Sequence, residues 1–263
     1  MTAAKVLSTI PKARQPRLYI ASGRGRSGKT FTSKYLLEKA RAEGRGVMIC
    51  DGDVRNGKLH ELFASDASPI PRPTDTSVAG LTRWFSDSLN VAVAGNRSAY
   101  FDLGAGETAS GELAQEVDLE AFLKATNYRL TNLLFMGPND LDADHVISIL
   151  SERRGIESDT IVFLNEGVPT PGIDAEDFFT RVVDKHGQLV RLKEAGGKFI
   201  RIPRLPCAQA VDGKGYSLYS LVVSIRNADG SYKINPLEDF MVRSWAEHFE
   251  RNISEAAAHE WLP

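Results

Sequence analysis

A glycine-rich segment near the amino terminus combines flexible backbone with one lysine and one hydroxyl group. The segment is GRGRSGKT, in which Gly23, Gly28, Lys29 and Thr30 fit the pattern G-x-x-x-x-G-K-[ST]. Glycines let backbone N–H groups turn toward an anion, a lysine reaches the outer phosphates of a nucleoside triphosphate, and threonine ligates Mg²⁺. The pattern therefore predicts a loop that binds the phosphates of ATP or ADP together with Mg²⁺.

The same segment also fits a second phosphate-binding pattern. Gly23, Gly25 and Gly28 form G-x-G-x-x-G, and Asp51 follows roughly 20 residues later, as in dinucleotide-binding sites. That pattern gives no role to Lys29 or to the threonine after it. The triphosphate interpretation is therefore favoured, and the dinucleotide interpretation stays open as the alternative.

Three aspartates follow predicted strands and could serve a metal ion and a water molecule. Asp51 and Asp53 come at the end of VMICDGD, and Asp102 ends the apolar run SAYFD before Gly104 and Gly106. Carboxylates at the carboxyl ends of parallel strands can hold hydrated Mg²⁺ and orient an attacking water. Asp102 has the position of a Walker B aspartate ahead of a switch loop. A turn or helix-cap role is the alternative for Asp102, and a solvated loop aspartate is the alternative for Asp53.

The elements that must position these groups alternate along the chain. Apolar runs predict strands at Leu18–Ala21, Gly46–Cys50, Ala99–Leu103, Asn132–Met136, Thr160–Leu164 and Lys198–Ile202. Helices are predicted at Thr30–Ala42, around Leu81 to Leu89, near 112–125, 143–153 and 174–184, and along an apolar stripe from Pro236 to His259. This alternation predicts an α/β fold with a doubly wound, mostly parallel sheet and helices on both faces. The last stripe predicts core packing or a dimer contact.

Length and composition are those of an ordinary globular domain. The 263 residues predict an N-terminal extension at 1–16 and a single domain at 17–263. With 32 basic and 34 acidic residues, the net charge of -2 indicates neither a nucleic acid nor any other strongly charged partner. Cys50 and Cys207 form neither a disulfide framework nor a zinc pattern. Apolar runs too short to span a bilayer predict a cytoplasmic protein without membrane insertion.

Taken together, these motifs resemble those of the ParA/MinD family of partition and positioning ATPases, a branch that includes the nitrogenase iron protein. The resemblance covers roughly Arg17 to Leu218. The family has a phosphate loop KGGxGKT, a D-x-D switch I and a D-x-x-x-G switch II. The matching positions here are Arg24–Thr30, Asp51 with Asp53, and Asp102 with Gly106.

The resemblance implies a role for each matching residue. Lys29 and Thr30 would bind phosphate and Mg²⁺, Asp51 and Asp102 would support the metal, and Asp53 would orient the hydrolytic water. The loop residues implied to contact nucleotide are Gly23, Gly25, Arg26, Ser27, Gly28, Lys29, Thr30 and Phe31. Asn165 in IVFLNEG and Pro203 in FIRIPRLP resemble the family's adenine-recognising asparagine and its "IP" loop.

The chain departs from the family pattern at two arginines. Arg24 stands where the family has a signature lysine that reaches across a nucleotide-sandwich dimer, and Arg26 replaces a glycine. A guanidinium suits phosphate oxygens, so Arg24 is a candidate catalytic residue acting in trans. A surface arginine is the alternative. The usual D-x-D-P-Q is DGDVRN here.

The resemblance implies slow, partner-stimulated, Mg²⁺-dependent ATP hydrolysis. It further implies an ATP-dependent homodimer that positions or partitions a plasmid, DNA or a protein complex, with an adaptor protein as partner. Non-specific DNA binding stays open through the resemblance alone. The basic run Arg191–Lys198 gives it little support, because the run is short and lacks aromatic residues. Two alternatives remain: an ATP-dependent ligase of the dethiobiotin-synthetase or cobyrinate-amidase type, and a nucleotide-sensing accessory protein, for example in plasmid conjugation, that hydrolyses little.

Overall fold

The chain forms one six-stranded parallel sheet. The computed structural model describes residues 14–53, 57–63, 72–103, 118–152, 157–214, 216–224 and 226–263. The strands are β1 Arg17–Gly23, β2 Val47–Asp51, β3 Ser98–Asp102, β4 Arg129–Met136, β5 Ser158–Asn165 and β6 Lys198–Ile202. Their order is β2-β3-β1-β4-β5-β6, with every neighbouring pair parallel. All six predicted strands are confirmed, and β4 and β5 begin earlier than predicted.

Helices connect these strands. In the described ranges they are α1 Lys29–Ala42, α2 Lys58–Leu62, α3 Val78–Ala94, α4 Leu119–Ala125, α5 Asp140–Glu152, α6 Ala175–Lys185, α7 Gly187–Glu194, α8 Ala208–Gly213, α9 Leu218–Val223 and α10 Pro236–Glu255. The predicted helices are present, although residues 112–117 lie outside the described ranges. Four helices were not predicted: α2, α7, α8 and α9. In α7, Leu189 is the only fully buried residue, so the apolar pattern of this helix is weak.

Alternating side chains of the strands build a core on each face of the sheet. In β1, Tyr19 and Ala21 join a cluster with residues of α1, α9 and α10. Leu18 and Ile20 point the other way and pack with residues of α3 and α4. A third cluster joins β4 and β5 to α5, α6 and α7. Since side chains alternate between the faces of a strand, this arrangement confirms the doubly wound α/β fold.

Helix α10 carries the apolar stripe predicted near the end of the chain. Asn235 and Glu238 form a capping box at its start. Trp245 and Phe249 are buried in the first core cluster, which confirms core packing. Leu237 and Phe240, also part of the predicted stripe, are 64% and 70% exposed. The helix ends at Glu255 instead of continuing to His259, since Ala257 adopts a left-handed φ of 49°.

The described end of the predicted extension is tied to the sheet. Arg129 N–H donates to the Pro16 carbonyl (3.1 Å), and the Gln15 amide donates to Asn127. Residues 1–13 of that extension lie outside the described residues. Of the helices in the described ranges, none combines the length and apolar character that a membrane span requires.

Candidate functional site

The glycine-rich segment connects β1, in the middle of the sheet, to the amino terminus of α1. Gly28 is the residue before α1 and has a φ of 88°. A side chain there would be strained in this left-handed conformation and would also collide with the Asn165 amide. Helix α1 has no side-chain cap on its first N–H groups and no acidic residue in its first turn. These N–H groups therefore face the loop as an anion-binding terminus.

A buried hydroxyl supports the fit of a phosphate group to this loop. Ser27 is 1% exposed, and among the residues that the structure describes its Oγ has no hydrogen-bond partner. A buried polar atom without a partner is costly unless a ligand or water satisfies it. Gly23 must also lack a side chain, because a Cβ there would lie 2.8 Å from Ser27 Oγ and 2.9 Å from the Phe135 carbonyl oxygen. The loop thus has both the shape and the unsatisfied donor that an anion requires.

Arg26 occupies the loop in an unusual conformation. Its φ is 72°, in the left-handed region that side-chain-bearing residues seldom adopt. The side chain is exposed, and so is Gly25 before it. The backbone at Arg26 therefore follows a path suited to glycine, which is the residue that the resemblance led us to expect there.

The predicted phosphate-binding lysine lies against the predicted metal-binding aspartate. Lys29 Nζ forms an ion pair with Asp102 Oδ1, and these side chains are 10% and 4% exposed. Asp102 ends β3, and its register partner on β2 is Asp51. Gly52 N–H donates to the Asp102 carbonyl (2.7 Å), which holds the ends of the two strands together. Three of the predicted site residues thus converge at the carboxyl edge of the sheet.

Asp51 is held by backbone donors. Its Oδ1 accepts from Asp53 N–H (3.0 Å) and its Oδ2 from His60 N–H (2.9 Å), while the side chain is buried. A carboxylate has about four acceptor sites, so both oxygens keep capacity for a water or a metal. Asp53 is half-buried, and its carbonyl accepts from Gly57 N–H (3.0 Å) and from the Arg72 guanidinium. Asp51 is therefore fixed on its strand, and Asp53 lies directly beside it.

Two residues beneath the loop were not predicted. Tyr100 lies two positions before Asp102 on β3, so both point to the same face. Its hydroxyl hydrogen-bonds Ser33 Oγ, which donates to the Lys29 carbonyl (2.7 Å). Burial, reinforced by the charges of Asp102 and Asp51, raises the pKa of Tyr100 well above its usual value. Tyr100 is therefore a neutral phenol that supports the first turn of α1, a role its spacing from Asp102 could have indicated.

The end of β5 borders the loop on its other side, and β6 is the next strand in the sheet. Asn165 Nδ2 donates to the Ser27 carbonyl (2.8 Å), and Asn165 Oδ1 accepts from Gly167 N–H (2.9 Å). Pro203 follows β6, and its carbonyl accepts from Trp245 Nε1 (2.8 Å). The structure thus brings Asn165 to the loop, although its amide contacts loop backbone here. Its implied role toward adenine stays a prediction.

Arg24 points toward its own subunit. Its Nη1 lies 3.3 Å from Asp142 Oδ1, and the two side chains are 43% and 6% exposed. The other oxygen of Asp142 accepts from Gly137 N–H (2.9 Å), so the carboxylate is fixed at the start of α5. Arg24 is consequently half-exposed and loosely held, which leaves its role in trans a prediction.

Metal binding would depend on few protein groups. Among the described residues, no three His, Cys, Asp or Glu side chains are grouped so that they could hold a metal ion by themselves. Mg²⁺ at phosphate sites keeps several waters and is held by one or two carboxylates together with the phosphates. Thr30, Asp51 and Asp102 fit that kind of site. Gly104 and Gly106, predicted in switch II, lie outside the described residues.

Comparison with known proteins gives matches among solved structures. No protein-family model and no curated protein matches the chain. Chloroplast FtsY from Physcomitrella patens is 17% identical over 66% of this chain and 56% of its own, with a TM-score of 0.43. The MinC:MinD cell division protein complex of Aquifex aeolicus gives a match that is 12% identical over 88% of this chain and 95% of the matched chain, with a TM-score of 0.45. A Cyanothece McdA variant in complex with ATP is 14% identical over 90% of this chain and 98% of its own, with a TM-score of 0.45. The chain thus spans just over half of the FtsY chain.

Proposed function

We propose that this chain is an ATPase that binds Mg²⁺ and ATP at Gly23–Thr30 and changes its association state with the bound nucleotide. The observation that supports this most strongly is the convergence of Lys29, Asp51 and Asp102 at the loop before α1. Such a loop, with a lysine and a carboxylate-held cation beside it, serves phosphoryl transfer. Bound ATP would use the Ser27 hydroxyl and the first N–H groups of α1, which no N-cap side chain satisfies.

In this proposal, phosphate binding changes the partner of Lys29. Without nucleotide, its ammonium is neutralised by Asp102. The phosphates of ATP offer a stronger partner, so Lys29 turns to them and Asp102 becomes available as a carboxylate ligand. Mg²⁺ would be held by Thr30, Asp51 and Asp102 and would neutralise phosphate charge. Asp53 then orients the attacking water.

The proposed switch extends to Arg24. Its link to Asp142 is weak, because Arg24 is 43% exposed and the 3.3 Å contact involves a single nitrogen. A phosphate of a nucleotide bound by a second copy of the chain would outcompete that carboxylate. Arg24 then bridges two subunits only while triphosphate is present. The resulting dimer positions or partitions a cargo with the help of an adaptor protein.

The first test is ATP binding and turnover in Lys29→Ala, with Lys34→Ala as the matched control. Lys34 is on the same helix and pairs with Asp212 at 3.3 Å, away from the loop. We expect Lys29→Ala to lose ATP binding by calorimetry and turnover by phosphate release, while Lys34→Ala stays within about twofold of wild type.

Undiminished ATP binding by Lys29→Ala would contradict the proposal. Phosphate release distinguishes the alternatives as well. A ligase would form ADP only when a second substrate is added, and a nucleotide sensor would bind ATP without turnover.

A further inference from the structure

The two sides of the site differ in charge. On the β2 and β3 side lie Asp51 and Asp102, which suit a cation and the terminal phosphates. On the β5 and β6 side lie the amide of Asn165 and the Pro203 carbonyl that follows β6, and Glu166 there pairs with Arg201 at 3.2 Å. If phosphates occupy the loop, the uncharged end of the ligand extends to the second side. A flat, largely apolar base fits amide surfaces of this kind.

Trp245 contacts two parts of the site, the segment after β6 and the first turn of α1. Its Nε1 donates to the Pro203 carbonyl at 2.8 Å. Its ring meets Phe31, two residues after Lys29 on α1, edge to face with centroids 5.6 Å apart. Trp245 is 3% exposed, so its indole is fixed by packing. One side chain of α10 thus connects the loop after β6 to the helix that carries the phosphate-binding lysine.

The rest of Trp245's surroundings favour a fixed orientation. Its ring packs against Phe249 and Tyr35, with centroids 5.1 Å and 5.3 Å away, and these contacts restrain the orientation of the indole. A second α10 side chain, Asn252, donates to the Arg201 carbonyl of β6 at 2.9 Å. Helix α10 is therefore bonded to β6 through Asn252 and to the segment after β6 through Trp245.

We propose that Trp245 is a positioning residue for the base of the nucleotide: by holding the Pro203 carbonyl and the Phe31 ring, it sets the wall that accepts the base. This inference rests on the proposed function, because it requires phosphates in the loop. It assigns Trp245 no contact with the phosphates and no part in the chemical step. Its loss should therefore weaken ligands that carry a base and spare those that do not.

The test compares ATP with inorganic tripolyphosphate, each with Mg²⁺, by titration calorimetry. Trp245→Phe keeps an aromatic ring and removes the N–H donor. We expect its ATP affinity to fall about three- to tenfold, the usual effect of one lost hydrogen bond, and its tripolyphosphate affinity to stay within about twofold. A merely structural defect would weaken both ligands alike. Equal weakening of the two, or an unchanged ATP affinity, would overturn the inference.

Two control variants match this substitution. Trp261→Phe removes a tryptophan beside Lys198, at the opposite end of β6. Asn252→Ala removes the hydrogen bond from the Asn252 side chain of α10 to the Arg201 carbonyl of β6. Both should keep the wild-type ratio of ATP to tripolyphosphate affinity. If either control lowers the ratio as much as Trp245→Phe, the effect belongs to helix docking in general and the inference fails.

A second measurement keeps Trp245 in place and avoids any folding defect of its variant. The chain has 3 tryptophans, so Trp84→Phe combined with Trp261→Phe leaves Trp245 as the sole indole fluorophore. Its emission should change on adding ATP and not on adding tripolyphosphate. Equal responses to both ligands would overturn the inference. If the wild type binds neither ligand, the proposed function itself fails, a result distinct from any difference among variants.

Discussion

At the scale of single residues, the ion pair between Lys29 and Asp102 dominates the site. Both side chains are almost fully buried, so the two charges are shielded from water and attract each other more strongly than an exposed pair would. Removing one partner of such a pair typically costs about 3–5 kcal/mol, since the remaining charge stays buried and unpaired. Replacing both by neutral groups costs much less. The pair is therefore a strong internal restraint on the loop before a ligand arrives.

This restraint gives a prediction for Asp102→Asn. Its free energy of unfolding without nucleotide should fall by about 3 kcal/mol, and the double variant Lys29→Met with Asp102→Asn should regain a large part of that loss. Urea denaturation of the four members of the cycle measures this coupling. Asp212→Asn is the control, because Asp212 is 50% exposed and its loss should cost less than about 1 kcal/mol. Additive losses in the cycle would contradict a coupled pair.

The sequence indicated which residues carry charge at the site, yet not how they pair. Motif spacing placed Lys29, Asp51 and Asp102 at one edge of the sheet, and the fold brings them together there. The motif assigns Lys29 to phosphate, so its pairing with Asp102 could not be foreseen from a pattern that describes the occupied site. The contact between Asn165 and the Ser27 carbonyl joins residues far apart in the chain and has no local signal either.

At the scale of elements, strands were predicted better than the helices between them. Buried parallel strands are continuous apolar runs, and β6 was predicted at its observed bounds, Lys198–Ile202. The start of β4 was missed because its first residue, Arg129, is charged and exposed. Helix α7 was missed because its single fully buried residue gives little periodicity. Local patterns thus identify elements where burial is extensive and fail where it is slight.

Helix α10 provides a prediction at this scale. Asn235 accepts from Glu238 N–H (2.8 Å) and Glu238 accepts from Asn235 N–H (3.2 Å), which completes the capping box. Asn235→Ala should lower the free energy of unfolding by about 1 kcal/mol, because an N–H group of the first turn loses its acceptor. Chemical denaturation measures the change.

Asn227→Ala is the matched control for that cap. Asn227 lies in an exposed turn, where its amide donates to Ser231 Oγ at 3.0 Å. We expect a smaller loss there, because water can replace that exposed bond. A larger loss at Asn227 than at Asn235 would argue against the capping box as a stabilising element of α10.

At the scale of the whole molecule, the strand order explains why distant residues form one site. β1 lies between β3 and β4, so the loop after it faces Asp102 on one side and the ends of β4 and β5 on the other. Parallel strands deliver all of these ends to the same edge. In the proposed dimer, the face that a second copy would approach contains Arg24, which is held by a single 3.3 Å contact to Asp142. The proposed switch therefore depends on association as well as on chemistry.

The most direct measurement is the solution mass by light scattering after size exclusion, with ADP and with a non-hydrolysable ATP analogue. The chain has a mass of 28.9 kDa. We predict a monomer with ADP, about twice that mass with the analogue, and a monomer under both conditions for Arg24→Ala. The matched arginine control is Arg129→Ala, which should dimerise like the wild type, because Arg129 is similarly exposed (46%) but pairs with Asp159 at the start of β4, the opposite edge of the sheet. A wild-type mass that is the same with both nucleotides would contradict the nucleotide-switched dimer.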